Sequence, residues 1–138
     1  MPAELIDLQN ATDLQEVAQR AATAITAGQL VAFPTETVYG IAAGARHAEA
    51  VSRLSEVKGR ANNHPFTLAI KNSLEAMDYV PELSLVATRL ARRCWPGPLT
   101  LVLPGTHPNS LLREFPENVQ QSVMLAGTVG LRVPSHQV

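Results

Sequence analysis

A single cysteine, Cys94, stands among 138 residues, which excludes an internal disulfide and a cysteine-rich metal site. Aromatic residues are scarce at 4%, too few to build a platform on which single-stranded bases would stack. Neither sign of charge dominates: eleven Lys and Arg against twelve Asp and Glu leave a net charge of −1, so anion binding has to come from local clusters. No apolar run approaches the roughly 18 residues of a membrane span and no basic-then-apolar leader opens the chain, so a cytoplasmic protein with no membrane partner is expected. Also missing are a Walker loop, a glycine-rich dinucleotide fingerprint and a nucleophile elbow. His47, His64, His107 and His136 show no paired metal spacing, and no metal site is expected. What remains is an ordinary globular composition, 46% hydrophobic and 17% charged. One domain of this length buries about two-thirds of its unfolded surface.

Residues 1–11 read as an extended arm with an edge strand at 4–8. Thr12 to Gln15 has the form of a capping box, opening a helix to about Ala27 that buries Leu14, Val17, Ala18, Ala21 and Ile25 and stops at Gly28. Leu30 to Phe33 reads as a strand buried on both faces and ended by Pro34. The small-sided stretch Ile41 to Ala45 lets backbone approach either a ligand or another strand. A second helix is expected from Ala48 to Val57, with Val51, Leu54 and Val57 inside, ending at Lys58-Gly59-Arg60. Period-two alternation over 66–70 predicts a strand with Phe66, Leu68 and Ile70 on the core face. A short helix near 73–77 and a longer one over 82–94, burying Leu83, Val86, Leu90 and Cys94, precede the rigid turn Trp95-Pro96-Gly97-Pro98. Beside Trp95, Cys94 is expected to be an inert, buried thiol. Leu99 to Leu103 is a strand, 106–121 a long surface loop, and 128–134 a last strand that contains Arg132. Strands alternate irregularly with helices, which predicts an α/β fold with a mixed sheet and helices packed on it.

The chemistry gathers around Pro34-Thr35-Glu36-Thr37-Val38-Tyr39-Gly40, at the exit of the first strand, where open α/β sheets leave a crevice for ligands. A polar strand-to-helix turn accounts for the same letters. Lys58 and Arg60 at a helix exit and Arg132 near a strand end add cations to the hydroxyls of Thr35, Thr37 and Tyr39, which describes a pocket for a carboxylate or a phosphate. For Lys58 and for Arg89, Arg92 and Arg93, a favourable place at a helix C-terminus is an alternative explanation. An arginine in so apolar a strand as 128–134 needs a partner or an anion. Glu36 suits either proton transfer or charge balance, and His64 a place in the pocket wall.

Four ordered stretches, Pro34 to Gly40, Lys58-Gly59-Arg60, Trp95-Pro96-Gly97-Pro98-Leu99-Thr100 and Gly130-Leu131-Arg132-Val133-Pro134, resemble the YrdC-like family, the L-threonylcarbamoyladenylate synthases of transfer-RNA modification. The resemblance implies a single-domain α/β fold, a twisted mixed sheet with packed helices around a positively charged cavity. It also implies a nucleotidyltransferase that makes threonylcarbamoyl-AMP and pyrophosphate from L-threonine, bicarbonate and ATP. Lys58 and Arg60 would be the catalytic clamp on the ATP phosphates and carbamate, with His64 also on the nucleotide side. Thr35, Tyr39 and Arg132 would hold threonine. ATP would arrive with Mg2+ as substrate, with no tightly bound cofactor and no dedicated metal ligand. Further partners implied are tRNA or tRNA-modification proteins. The alternative is a non-catalytic YrdC-like nucleotide- or RNA-binding module using Arg60, Arg89, Arg92, Arg93 and Arg132. Members of the family continue past the position of Val138 with a Ser-x-Asn element that has no counterpart here. Residues 1–138 are therefore expected to hold the family domain without its C-terminal part, with threonine contacts better kept than ATP contacts, weak or absent turnover, and apolar surface that a homo-oligomer would bury.

Overall fold

A computed structural model describes residues 2–59 and 64–137. The elements run α1 (Leu14–Thr26), β1 (Val31–Phe33), β2 (Gly40–Ala42), α2 (Ala48–Lys58), β3 (Leu68–Ala69), α3 (Ala76–Tyr79), α4 (Leu85–Cys94), β4 (Leu101–Pro104), a 3-10 turn (Leu111–Glu114), α5 (Glu117–Val123), β5 (Met124–Leu125) and β6 (Thr128–Arg132). Strands form two separate sheets. β1 and β2 make an antiparallel ribbon, while β6 is the centre of a mixed sheet. β4 runs antiparallel along one edge of β6, so β3 and β5 must share the other. β3 pairs in parallel at Leu131 and Arg132, and β5 antiparallel at Thr128 and Val129. The mixed sheet with packed helices agrees with the α/β expectation.

Burial follows the pleat. Val129, Leu131 and Val133 are buried while Gly130 and Arg132 between them are not, and Leu68 and Ile70 are buried while Thr67 and Ala69 are not. The inner face, which includes Leu101 and Leu103 of β4, packs against Val51, Trp95, Leu112, Phe115, Val119 and Val123, with Phe66 partly buried against them as expected. The outer face carries Thr67, Ala69, Gly130 and Arg132, mostly small side chains.

Several local expectations need correction. Residues 4–8 form no strand. The cap of α1 is Asp13, not Thr12, because the Asp13 Oδ1 atom accepts from the amides of Gln15 (2.9 Å) and Glu16 (3.2 Å). β1 is half-exposed rather than buried on both faces, since it belongs to a two-stranded ribbon. In the small-sided stretch, Ile41 and Ala42 pair with β1, while the close approach is at Gly44, where a Cβ would lie 3.1 Å from the Ile25 carbonyl oxygen near the end of α1. Val57 is exposed. The short third helix begins at Ala76 rather than Ser73.

In α4, capped by the Ser84 hydroxyl on the Ala87 amide (3.1 Å), the buried residues are Ala87 and Ala91, while Val86 and Leu90 are exposed and Cys94 is only half-buried. Small side chains bring this helix close to the core, and its outer face carries Leu85, Val86 and three arginines. The expected loop over 106–121 instead holds the 3-10 turn and most of α5, with Leu112, Phe115 and Val119 buried. Pro116 begins a helix there, where a missing amide costs nothing, rather than interrupting one.

Tyr79 stacks at an angle on Phe115, ring centroids 6.0 Å apart, and its carbonyl accepts from the buried Ser110 hydroxyl (2.5 Å). Burial, reinforced by nearby Glu75, raises its phenol above the ordinary 10.0. The unfolded chain therefore deprotonates first as pH rises, so this contribution is intact below about pH 10 and is lost as pH rises through the folded value. Urea midpoints taken at about pH 9 and about pH 11 should fall more for the unchanged protein than for Tyr79→Phe, which has no phenol to titrate.

Candidate functional site

The site lies on the outer face of the sheet. Phe33 and Gly40 at the facing ends of β1 and β2, Thr35, Thr37, Val38 and Tyr39 from the segment joining them, Ala69 from β3 with Thr67 just before it, and Arg132 and Pro134 from β6 and its exit enclose a cleft of about 160 Å³. Small residues on β3 leave the room. The joining segment supplies the polar wall, and its shape comes from one side chain. The Thr35 hydroxyl donates to the Val38 carbonyl (2.6 Å) and accepts from the amides of Thr37 and Val38 (3.2 Å each), which uses its single proton and both lone pairs. Thr35 is thus the organiser of the turn, and a ligand reaches its hydroxyl only by replacing one of these bonds. Thr37 Oγ1 lies 3.0 Å from Thr35 Oγ1 and accepts from Arg132 Nη2 (3.2 Å), linking the turn to the strand.

Arg132 has the partner that its apolar strand demanded. Its Nη2 donates to Glu36 Oε1 in a salt bridge, and its Nε donates to the Gly97 carbonyl (3.3 Å). Glu36 Oε2 accepts from the Ser135 amide, so one carboxylate ties the joining segment to the chain leaving β6. Both side chains are largely shielded, 22% exposed for Arg132 and 23% for Glu36. Gly97 is placed by the turn after α4, where its amide donates to the Val133 carbonyl (2.8 Å). A Cβ there would come within 2.4 Å of the Cys94 carbonyl, so only glycine fits between the helix end and the strand. The turn holds the cis Trp95–Pro96 bond, and Trp95 Nε1 donates to the Leu99 carbonyl (2.7 Å).

Of the residues singled out from the sequence, Thr35, Tyr39 and Arg132 line this cleft together, with Tyr39 largely exposed at its rim. Lys58 closes α2 before the left-handed Gly59 and is exposed; it does not line the cleft. His64 is exposed and also not among the lining residues, while Arg60 lies outside the described residues. Sequence reasoning missed the lining by Thr67 and Ala69 and the pairing of Glu36 with Arg132 and Ser135. The alternation over 66–70 already pointed Thr67 and Ala69 away from the core. The Glu36 contacts join residues 96 and 99 positions apart, a separation that local pattern does not report. Among the described residues no three His, Cys, Asp or Glu side chains are grouped to hold a metal ion.

Comparison with known proteins decides the family. The Sua5/YciO/YrdC family, described as "Telomere recombination", matches residues 23–138. The chain belongs to this family. A threonylcarbamoyl-AMP synthase of Pyrococcus abyssi is 41% identical over 120 residues, 86% of this chain and 32% of the relative. One of Bacillus subtilis is 35% identical over 125 residues, 91% of this chain and 34% of the relative. The chain thus spans about a third of the length of these two Sua5/YciO/YrdC relatives. Among solved structures, P. abyssi Sua5 complexed with L-threonine superposes with a TM-score of 0.71 at 39% identity, covering 86% of this chain and 32% of that one. Escherichia coli YciO superposes with a TM-score of 0.72 at 27% identity, covering 88% and 54%. The α/β fold with a mixed sheet expected from the four motifs is shared with these neighbours over the matched residues.

Proposed function

We propose that this chain carries the amino-acid side of a threonylcarbamoyl-AMP synthase site. In the reaction, the amine of L-threonine and bicarbonate combine with loss of water into a carbamate. A carbamate oxygen then attacks the α-phosphorus of ATP, forming threonylcarbamoyl-AMP and releasing pyrophosphate. Such a transfer needs positioning and charge neutralisation more than covalent help from the protein. The observation that carries the reading is Arg132, whose guanidinium lines a small cleft beside Thr37 and next to the turn that Thr35 organises. Its Nη1 hydrogens are the donors available to a threonine carboxylate, since Nε and Nη2 are already engaged. A cleft of about 160 Å³ suits an amino acid better than a whole nucleotide, since sites for drug-sized ligands run to roughly 300–1,000 Å³. Lys58, which closes α2, and Arg60 are the proposed clamp for the phosphates, with His64 also assigned to the nucleotide side, and Mg2+ enters with ATP as substrate. The names of the relatives and the threonine complex of P. abyssi Sua5 support the substrate class. tRNA is the proposed destination of the product and the cytoplasm the proposed compartment; among the described residues no helix is long and apolar enough to cross a membrane.

A second reading rests on α4. Arg89, Arg92 and Arg93 are exposed there, and none of the three guanidinium groups has an ion pair among the described residues. Three unpaired cations on one short helix suit the phosphates of a nucleic acid. Calorimetric titration of L-threonine, with and without ATP and magnesium and with serine as control, separates the readings. Threonine heat that is present already without ATP is the expected result. Its absence from a folded sample, together with RNA binding that falls steeply with salt, would replace the synthase reading by the binding-module one.

A further inference from the structure

Arg132 is the cation of the described cleft, yet its place in β6 does not by itself aim it. An arginine side chain is long and rich in rotamers, so a guanidinium left alone would turn its donors to water as readily as to a ligand. Hydrogen bonds at two of its nitrogens remove that freedom. Nε donates to the Gly97 carbonyl (3.3 Å), while Nη2 donates to Glu36 Oε1 and to Thr37 Oγ1 (3.2 Å). Because the group is planar, holding two of its nitrogens fixes the direction of the third. That third corner, Nη1, has no partner among the described residues and is what Arg132 keeps for the cleft. The Gly97 carbonyl is itself held in place, since the Gly97 amide donates to the Val133 carbonyl (2.8 Å). The turn at Trp95 to Pro98 therefore supplies one of the two anchors.

Glu36 supplies the other, charged anchor. It does not line the cleft, and both its oxygens are engaged, Oε1 with Arg132 and Oε2 with the Ser135 amide. One carboxylate thus spans the segment joining β1 to β2, the strand β6 and the chain leaving β6. We infer that Glu36 is a positioning residue of the proposed amino-acid site: with the Gly97 carbonyl it locks the plane of Arg132, so that Nη1 stands ready for the carboxylate of the ligand. The inference rests on that proposed site and adds to it a residue that acts through Arg132 alone. Locking in advance removes an ordering cost that binding would otherwise carry. Reach matters as much as charge, because the carboxylate has to meet Arg132 and the Ser135 amide together.

Glu36→Asp is the test, because it keeps the negative charge and draws the carboxylate back by one methylene, too short to hold both partners. Glu36→Gln would decide less, since losing the charge also relieves repulsion of an incoming carboxylate. By calorimetry on the 138-residue chain, with circular dichroism as the check on folding, L-threonine should bind Glu36→Asp about tenfold more weakly than the unaltered protein, roughly 1.4 kcal/mol. In an Arg132→Lys background the same change should cost no more than about twofold, because no guanidinium plane is left to hold. Unchanged affinity in Glu36→Asp would overturn the inference and leave Glu36 a counter-charge. An equal loss in both backgrounds would overturn it too, making Glu36 a strut for the joining segment. A second measurement needs no ligand. In heteronuclear NMR, the Arg132 Nε–H signal, identified by its loss in Arg132→Lys, should be sharp and slow to exchange with water in the unaltered protein and broad in Glu36→Asp. An equally sharp, slowly exchanging signal in Glu36→Asp would refute the locking role however weakly that variant binds. If the unaltered, folded protein gives no threonine heat, the proposed amino-acid site itself fails, and the inference with it.

Discussion

Arg132→Ala is expected to weaken L-threonine binding about a hundredfold, a loss of roughly 3 kcal/mol, the scale seen when one partner of a shielded, hydrogen-bonded charge pair is removed. The size follows from position. Arg132 sits on the outer face of the central strand, is the cation among the described cleft residues, and keeps donors free for a ligand. Removing it also strands Glu36, whose side chain is only 23% exposed, so the fold should lose about 1–2 kcal/mol as well. Arg132→Lys separates the two effects. It keeps the charge for Glu36 but not the planar fork, so stability should be largely restored while affinity recovers only in part. Calorimetry and a urea melt on both variants provide the check, and unaltered threonine affinity in Arg132→Ala would remove the carboxylate from this site.

Leu131→Ala should be the most damaging change to the fold. Leu131 is 0% exposed and is the point where three strands meet, paired with Leu68 on β3 and with Leu101 on β4. The ladders on both sides hold the backbone of β6 in place, so the surrounding side chains close the space only in part and a cavity remains. The expected cost is about 3–4 kcal/mol, within the range for a buried leucine cut to alanine. Against the roughly 5–15 kcal/mol that holds a domain of this kind together, such a loss approaches the threshold of folding. The urea midpoint should fall sharply with little change in slope. Val102→Ala, one strand away but 67% exposed, should move it by no more than about 0.5 kcal/mol. Because Arg132 follows Leu131 directly, loss of the core here also loosens the site.

The parts of the fold legible beforehand were those set by short-range physics. Gly28, at a φ of +79°, and Gly59, at +55°, end helices where their letters said they would, because left-handed backbone is open to glycine at little cost. The alternation over 66–70 placed Leu68 and Ile70 inside and, by the same period, Thr67 and Ala69 outside. The turn at Trp95 to Pro98 was legible for a similar reason, since two prolines and a glycine leave few backbone choices.

The misread parts turned on what each element packs against. In α4 the larger side chains suggested the buried stripe, yet the core takes Ala87 and Ala91 and leaves Leu85, Val86 and Leu90 outside. Periodicity reports a face; only the neighbour's distance decides which face is covered. Residues 106–121 looked like a loop because polar residues and prolines outnumber the apolar ones, and Leu112, Phe115 and Val119 gained meaning once the inner face of the sheet was there to receive them.

The sequence by itself determined the helix stops, the inward and outward faces of the 66–70 strand, the ordered motifs of the Sua5/YciO/YrdC family, and the need for a partner beside Arg132, because each depends on residues within a few positions or on the cost of an unpaired charge. Tertiary structure alone decided that this partner is Glu36, that the Thr35 hydroxyl is spent on its own turn, that Lys58 stands outside the cleft, and that small residues on two strands leave room for a ligand. Those facts join positions far apart in the chain, and chain closure around a shared sheet brings them together.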